Sequence, residues 1–202
     1  MSDTVLVPPD HTAPVAFTRA QLEWLPWLEP LAVEAMTERH MASLVDAARV
    51  KSPYFRLLAR DPDALEARTR TDKDIFYNPD AGLPRAEREL AAAATSRFNG
   101  CLYCASVHAR HAATYSKREA DVQRLLDEGV GADLGERWNA IVAASAALST
   151  TPITFGSQHA ERLRRAGLDD LAITDVIHAA AFFNWANRLM LSLGEPAAPT
   201  AA

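Results

Sequence analysis

The stretch Asn99-Gly100-Cys101-Leu102-Tyr103-Cys104-Ala105-Ser106-Val107-His108 decides how this chain reads. Asn99-Gly100 ends one helix, because glycine suits the left-handed position just past a helix C-terminus. A second helix starts at or near Cys101 and continues to about Tyr115. The two cysteines of the chain, its only ones, are three positions apart at that start, and His108 follows four positions after the second. A disulfide enclosing two residues constrains the unfolded chain little, since the stabilisation grows with the length enclosed. The pair therefore reads as chemistry rather than as a staple, and Cys-x-x-Cys is a setting in which thiol pKa values fall.

Helical geometry supports that reading. Residues three apart have Cα atoms about 5 Å apart, inside the roughly 4.4–6.8 Å span of a disulfide. Cys101 sits where unpaired amides and the positive end of the helix dipole favour a thiolate. His108 lies one turn beyond Cys104 on the same face, where it can exchange a proton with that thiol.

Outward from this helix the pattern stays helical. Alanine is abundant, glycine is sparse at 8 of 202 residues, and no run of alternating β-branched residues occurs, which predicts an all-α multi-helix bundle. Upstream, Pro84 starts a helix running to about Phe98. Ser52-Pro53 and Asp61-Pro62 are two further starts, each a capping residue followed by proline at the first helical position. Asn78-Pro79-Asp80-Ala81-Gly82 is a loop. Downstream, helices are expected over 117–128, 134–149, 157–166 and 169–193. Residues 31–49 are also read as helical. Residues 1–30 are expected to form an arm, with a short helix opened by a Thr18/Gln21 capping box and interrupted at Pro26 and Pro30. Residues 31–194 then form one helical domain, and 195–202 a disordered tail.

Composition narrows the partners. A net charge of −5, with arginines scattered among acids as in Arg85-Ala86-Glu87-Arg88-Glu89, argues against nucleic acid. No apolar run approaches the roughly 18 residues of a membrane helix. The start, Met1-Ser2-Asp3-Thr4-Val5, lacks a basic segment followed by an apolar one, so no secretory signal is read and a reducing cytoplasm is expected. No cofactor and no resident metal are expected.

Peroxide reduction requires a thiolate to attack oxygen, a proton for the leaving alkoxide or hydroxide, and a second thiol to resolve the sulfenic acid. Cys101, Cys104 and His108 supply these three types. A carboxylate that orients the histidine or takes the thiol proton would complete the relay, and the preceding helix offers Glu87 and Glu89.

The run Pro84-Arg85-Ala86-Glu87-Arg88-Glu89-Leu90, followed by the cysteine–histidine motif, resembles the alkyl hydroperoxidase D-like group of the carboxymuconolactone decarboxylase superfamily, and within it the "uncharacterised peroxidase-related" branch. Ala181-Phe182-Phe183-Asn184-Trp185-Ala186-Asn187-Arg188 resembles that branch's closing helix. The resemblance spans roughly residues 50–194. It implies an all-helical fold assembling as a dimer, trimer or hexamer. It implies that the glutamate twelve positions before the first cysteine is Glu89, that Cys101 is the resolving and Cys104 the peroxide-attacking cysteine, and that His108 is the helical histidine. In the best-described members a second histidine directly precedes the second cysteine, a place held here by Tyr103. A phenol with a pKa near 10 shuttles protons poorly at neutral pH, so the full relay and the usual lipoyl-linked reductant are open. The reading is a peroxidase for hydrogen peroxide or small organic hydroperoxides, restored by an external dithiol such as a lipoyl or thioredoxin-like protein.

Rival readings are weighed against it. Buried cysteines are common core residues. Zinc held by Cys101, Cys104, His108 and His111 conflicts with geometry, since ten residues of helix span about 15 Å while zinc ligands lie within about 2.3 Å of the metal. A lyase acting on a carboxylated lactone and a non-enzymatic redox sensor or helical assembly protein are the other two. Phe182, Phe183, Trp185 and Met190 are taken as core or interface rather than as a pocket. Trp24 and Trp27 are taken as packing on a neighbouring subunit. Asn184, Asn187 and Arg188 are expected to cap or pair, not to act in catalysis.

Overall fold

The run Leu90-Ala91-Ala92-Ala93-Ala94 is fully buried and sets the architecture. A helix that is apolar all round belongs at the centre, and side chains this small let other helices approach its axis closely. The computed structural model describes residues 5–8 and 10–198. Its elements are, in order, β1 (Glu23–Pro26), α1 (Glu38–Ser43), α2 (Pro53–Leu58), α3 (Pro62–Tyr77), α4 (Arg85–Phe98), α5 (Leu102–Ser116), α6 (Glu119–Glu128), α7 (Glu136–Ser149), α8 (Ser157–Arg165), α9 (Asp170–Leu193) and β2 (Gly194–Ala197). Single 3-10 turns cover Val33–Ala35 and Ala47–Lys51. The alanine-rich α4 is central: α5 folds back along it, and α7 and α9 pack on its remaining sides. The protein is thus all-α, with one two-stranded ribbon as its sheet among the described residues.

Most helix starts follow the local signals. Asp61 accepts from the Ala64 amide at 3.1 Å, with Pro62 in the first helical position of α3. Asp169 caps α9 through the Ala172 amide at 2.8 Å. Gly100 takes φ +78°, which lets the chain reverse between α4 and α5 at the cost of one residue that L side chains rarely match. No helix among the described residues is long and apolar enough to cross a membrane.

Three expectations are corrected. The helix expected from Thr18 does not form: the Thr18 hydroxyl instead accepts from the amide of Ala20, and the chain goes on into β1. The helix over 31–49 is broken into a 3-10 turn, α1 and a second 3-10 turn. Thr37 and His40 make a capping box that restarts the helix at Glu38, and Val45 at φ 61° then ends it. The tail does not begin at Glu195. Gly194–Ala197 pairs antiparallel with Glu23–Pro26, with Glu23 opposite Ala197 and Pro26 opposite Gly194. The pairing is favoured because Gly194 has no Cβ: one built there would collide with the Trp24 ring. Residues 199–202, the rest of the expected tail, lie outside the described residues, as do 1–4 of the arm.

Trp24 is also corrected. It is buried within its own chain, edge-on to Tyr54 with ring centroids 5.3 Å apart, and its indole N–H donates to the Met190 carbonyl at 3.4 Å.

Candidate active site

The reversal at Asn99-Gly100 places the two sulfurs. The Cys101 amide donates back to the Ser96 carbonyl at 2.9 Å, and the Cys101 carbonyl accepts from Ala105 at 2.9 Å, so Cys101 is the N-cap of α5 and Cys104 lies in its first turn. Both thiols are buried and unpaired as a disulfide. They titrate as a unit. The Cys104 thiol, hydrogen-bonded to Cys101, holds the Cys101 pKa below its ordinary value; burial opposes this, and the amides of Cys104 and Tyr103 add to it. The same hydrogen bond, with burial, pushes Cys104 up. Of the two thiols Cys101, at the helix N-terminus, is therefore the one that ionises first.

A cavity of about 200 Å³ opens beside this turn. Cys104 lines it, while Cys101 is not part of its wall. His108 and Glu89 line it too, and they meet: Glu89 Oε2 is 2.7 Å from His108 Nδ1. Arg85 Nε donates to the other carboxylate oxygen of Glu89 at 3.2 Å. Glu89 is almost fully enclosed, with 1% of its surface exposed, so these two partners offset the cost of burying its charge. The His108 ring is fixed from the sides by Phe76, stacked at 5.1 Å, and Phe183, edge-on at 4.1 Å. With Nδ1 committed to Glu89, Nε2 is the ring nitrogen left for other chemistry.

The two acids on α4 separate cleanly. Glu87 forms a two-pronged pair with Arg137, at 2.7 and 2.8 Å, and takes no part in the cavity wall. Tyr103 lines the cavity, and burial pushes its phenol up, so at neutral pH it is an O–H donor and not a shuttle. His111 is on the cavity wall, stacked over Tyr115, and burial holds its imidazole below the ordinary value. Among the described residues no three His, Cys, Asp or Glu side chains form a group that could hold a metal ion. Phe183 and Met190 are core residues, as read, but they also face the cavity; Phe182 packs against the core, and Trp185 is 45% exposed.

Asn187 was passed over in the sequence as a capping or pairing residue. It is fully buried on α9, and its side chain reaches both sulfurs. Its oxygen accepts from Asn99 at 3.0 Å, and its nitrogen donates to Ser96 Oγ at 3.0 Å. The carboxamide thus clamps the end of α4 beside the dithiol. A polar residue on an apolar helix face was the available signal. Tyr54 and Arg68, also on the wall, carried no such signal.

A model of the carboxymuconolactone decarboxylase family matches residues 62–147, which hold Glu89, both cysteines and His108. No curated protein matches the sequence. Several solved structures share the fold. An uncharacterized peroxidase-related protein from Ralstonia eutropha JMP134, described as an alkylhydroperoxidase AhpD core, superposes with a TM-score of 0.68 at 24% identity, covering 81% of this chain and 87% of that one. An uncharacterized peroxidase-related protein from Silicibacter sp. TM1040 gives 0.67 at 22% identity, covering 94% and 93%. The debrominase Bmp8 gives 0.65 at 20% identity, covering 81% and 88%.

Proposed function

From a chain whose residues 62–147 match the carboxymuconolactone decarboxylase family and whose fold is alkyl hydroperoxidase D-like, we propose that it is a thiol-dependent peroxidase. The observation that carries this reading is one cavity wall holding Cys104, which is hydrogen-bonded to Cys101 behind it, together with a Glu89–His108 pair.

In the proposed cycle the Cys101 thiolate takes the Cys104 proton, and the Cys104 thiolate attacks the distal peroxide oxygen. The O–O bond breaks, Cys104 becomes a sulfenic acid, and the leaving alkoxide takes a proton from His108, whose ring Glu89 holds through Nδ1. The Cys101 thiol then condenses with the sulfenic acid, releasing water and forming the disulfide. The substrate gains the two electrons that the dithiol loses. An external dithiol reduces the disulfide by exchange. Cys104 is assigned the attack because it faces the cavity and Cys101 does not.

The test is peroxide consumption with excess dithiothreitol. Wild type is expected to turn over repeatedly and Cys104→Ser to be inactive. With one equivalent of peroxide and no dithiothreitol, Cys101→Ser is expected to stop at the sulfenic acid, seen as a gain of about 16 Da by intact mass, where wild type loses two hydrogens, about 2 Da. Full turnover by Cys104→Ser sinks the assignment. One slow oxidation without turnover in wild type points to a redox sensor.

A further inference from the structure

The cavity that Cys104 lines is also lined by Arg68, whose charge no protein group uses fully. Arg49 and Arg68 share one carboxylate, Asp72, at 3.4 and 3.3 Å. The Arg68 side chain is 8% exposed. Its Nε and Nη1, the Arg49 Nη1 and the Tyr54 hydroxyl are all buried without a hydrogen-bond partner, the Asp72 approach to Arg68 being wrong in direction. Four polar atoms without a protein hydrogen-bond partner in one neighbourhood leave donors that a ligand oxygen can satisfy. Arg68, Tyr54 and Asp72 line the same cavity as Cys104. Arg68 is held by ring contacts, its guanidinium 5.4 Å from the Phe55 and Phe182 centroids, so it is preorganised.

The charge count sets the ligand. Glu89 matches Arg85, and Asp72 matches one of Arg49 and Arg68. Arg49 lies behind the wall and draws on the same carboxylate, so Arg68, the cation that faces the cavity, is only partly neutralised. That balance suits a monoanion better than a phosphate dianion, and a planar guanidinium fork suits a carboxylate. A cavity of about 200 Å³ is roomier than hydrogen peroxide needs and admits only a small organic molecule.

We propose that the Arg68 guanidinium and the Tyr54 hydroxyl form a carboxylate-binding subsite, so that the favoured substrates are small organic hydroperoxides bearing a carboxylate, held with the peroxide group toward Cys104. The substrate class rests on the peroxidase reading; the anion subsite does not. The carboxylate is a bystander in the reaction, and the product is the corresponding hydroxy acid plus water.

Two measurements separate these levels. The first compares alkylation of Cys104 by iodoacetate and by iodoacetamide, which needs no peroxidase activity. The subsite is expected to raise the iodoacetate-to-iodoacetamide rate ratio on the order of tenfold over that of Arg68→Met, as one charged hydrogen-bonded contact allows. In wild type, benzoate is expected to protect Cys104 where benzamide does not, which keeps the test valid if Arg68→Met fails to fold. Equal ratios in the two proteins, or equal protection by benzoate and benzamide, overturn the subsite. The second compares kcat/KM for cumene hydroperoxide and its para-carboxylated analogue, with the preference for the latter falling about tenfold in Arg68→Met. Charge-selective alkylation without peroxide turnover supports the subsite and sinks the peroxidase reading.

Discussion

Glu89 and His108 stand on different helices, and the Glu89 carboxylate meets the His108 ring at 2.7 Å while almost fully enclosed. The contact fixes which ring nitrogen faces the cavity. Glu89→Gln keeps the size and loses the charged partner that holds the His108 ring. It is expected to lower kcat/KM for peroxide by about 10²-fold, the lower end for general acid catalysis. Arg85 loses its charged partner, so a urea titration should show a cost of about 1–3 kcal/mol. Unchanged turnover at full stability removes Glu89 from the relay.

The hydrogen bond between the two thiols predicts a directional response to mutation. In wild type the first thiolate should appear below the ordinary cysteine value, because Cys104 donates to Cys101. Cys104→Ala removes that donor, so the Cys101 midpoint should rise. Cys101→Ala removes the neighbouring negative charge, so the Cys104 midpoint should fall, while burial still holds it above an exposed thiol. Iodoacetamide rates against pH, read by mass spectrometry on each variant, check both signs.

Asn187 ties α9 to the end of α4 beside the sulfurs. Asn187→Leu leaves Asn99 and Ser96 short of partners and should cost about 1–3 kcal/mol in a urea titration. It also removes a group that favours both thiolates, so alkylation of the first thiol should shift to higher pH. Stability lost without a pH shift would make Asn187 purely structural.

What could be read from sequence is what local chemistry dictates. The Asn99-Gly100 break and the two proline starts each act within one helical turn and fall where read, although only Asp61, and not Ser52, caps its helix through the side chain. Glu89 facing His108 was reachable because two helices joined by a tight reversal must run back along each other. The Arg68 and Tyr54 wall was not legible. Arg68 sits in a helix dense with charge, and its sequence neighbours Glu66 and Arg70 are ordinary surface partners of each other. Only packing from α2 and α9 turns Arg68 inward. The ribbon was equally hidden: Gly-Glu-Pro-Ala has poor strand propensity and is ordered by a segment near the other end of the chain.

The alanine run in α4 predicts intolerance to size. Ala92 and Ala93 have no exposed surface and lie in a helix covered by α5, α7 and α9. Ala93→Leu adds three carbons where the interior is close-packed and should cost about 1–3 kcal/mol. The displaced α4 would also carry Glu89 away from His108, so activity should fall with stability. A variant as stable as wild type would show that the bundle has slack at its centre.

The ribbon predicts a link between the C-terminal segment and the cavity. β2 covers Trp24, Trp24 packs edge-on against Tyr54, and Tyr54 is a wall residue. Ending the chain at Leu193 uncovers Trp24 and exposes apolar surface worth about 2 kcal/mol. For a domain of this size that corresponds to a melting temperature lower by roughly 5 °C. Loosening Tyr54 should also open the cavity, so Cys104 should react faster with iodoacetamide while the iodoacetate preference shrinks. Calorimetry and alkylation on the same truncated protein check both. A lower melting temperature with unchanged alkylation would separate the ribbon from the site and leave it a clasp for the chain ends.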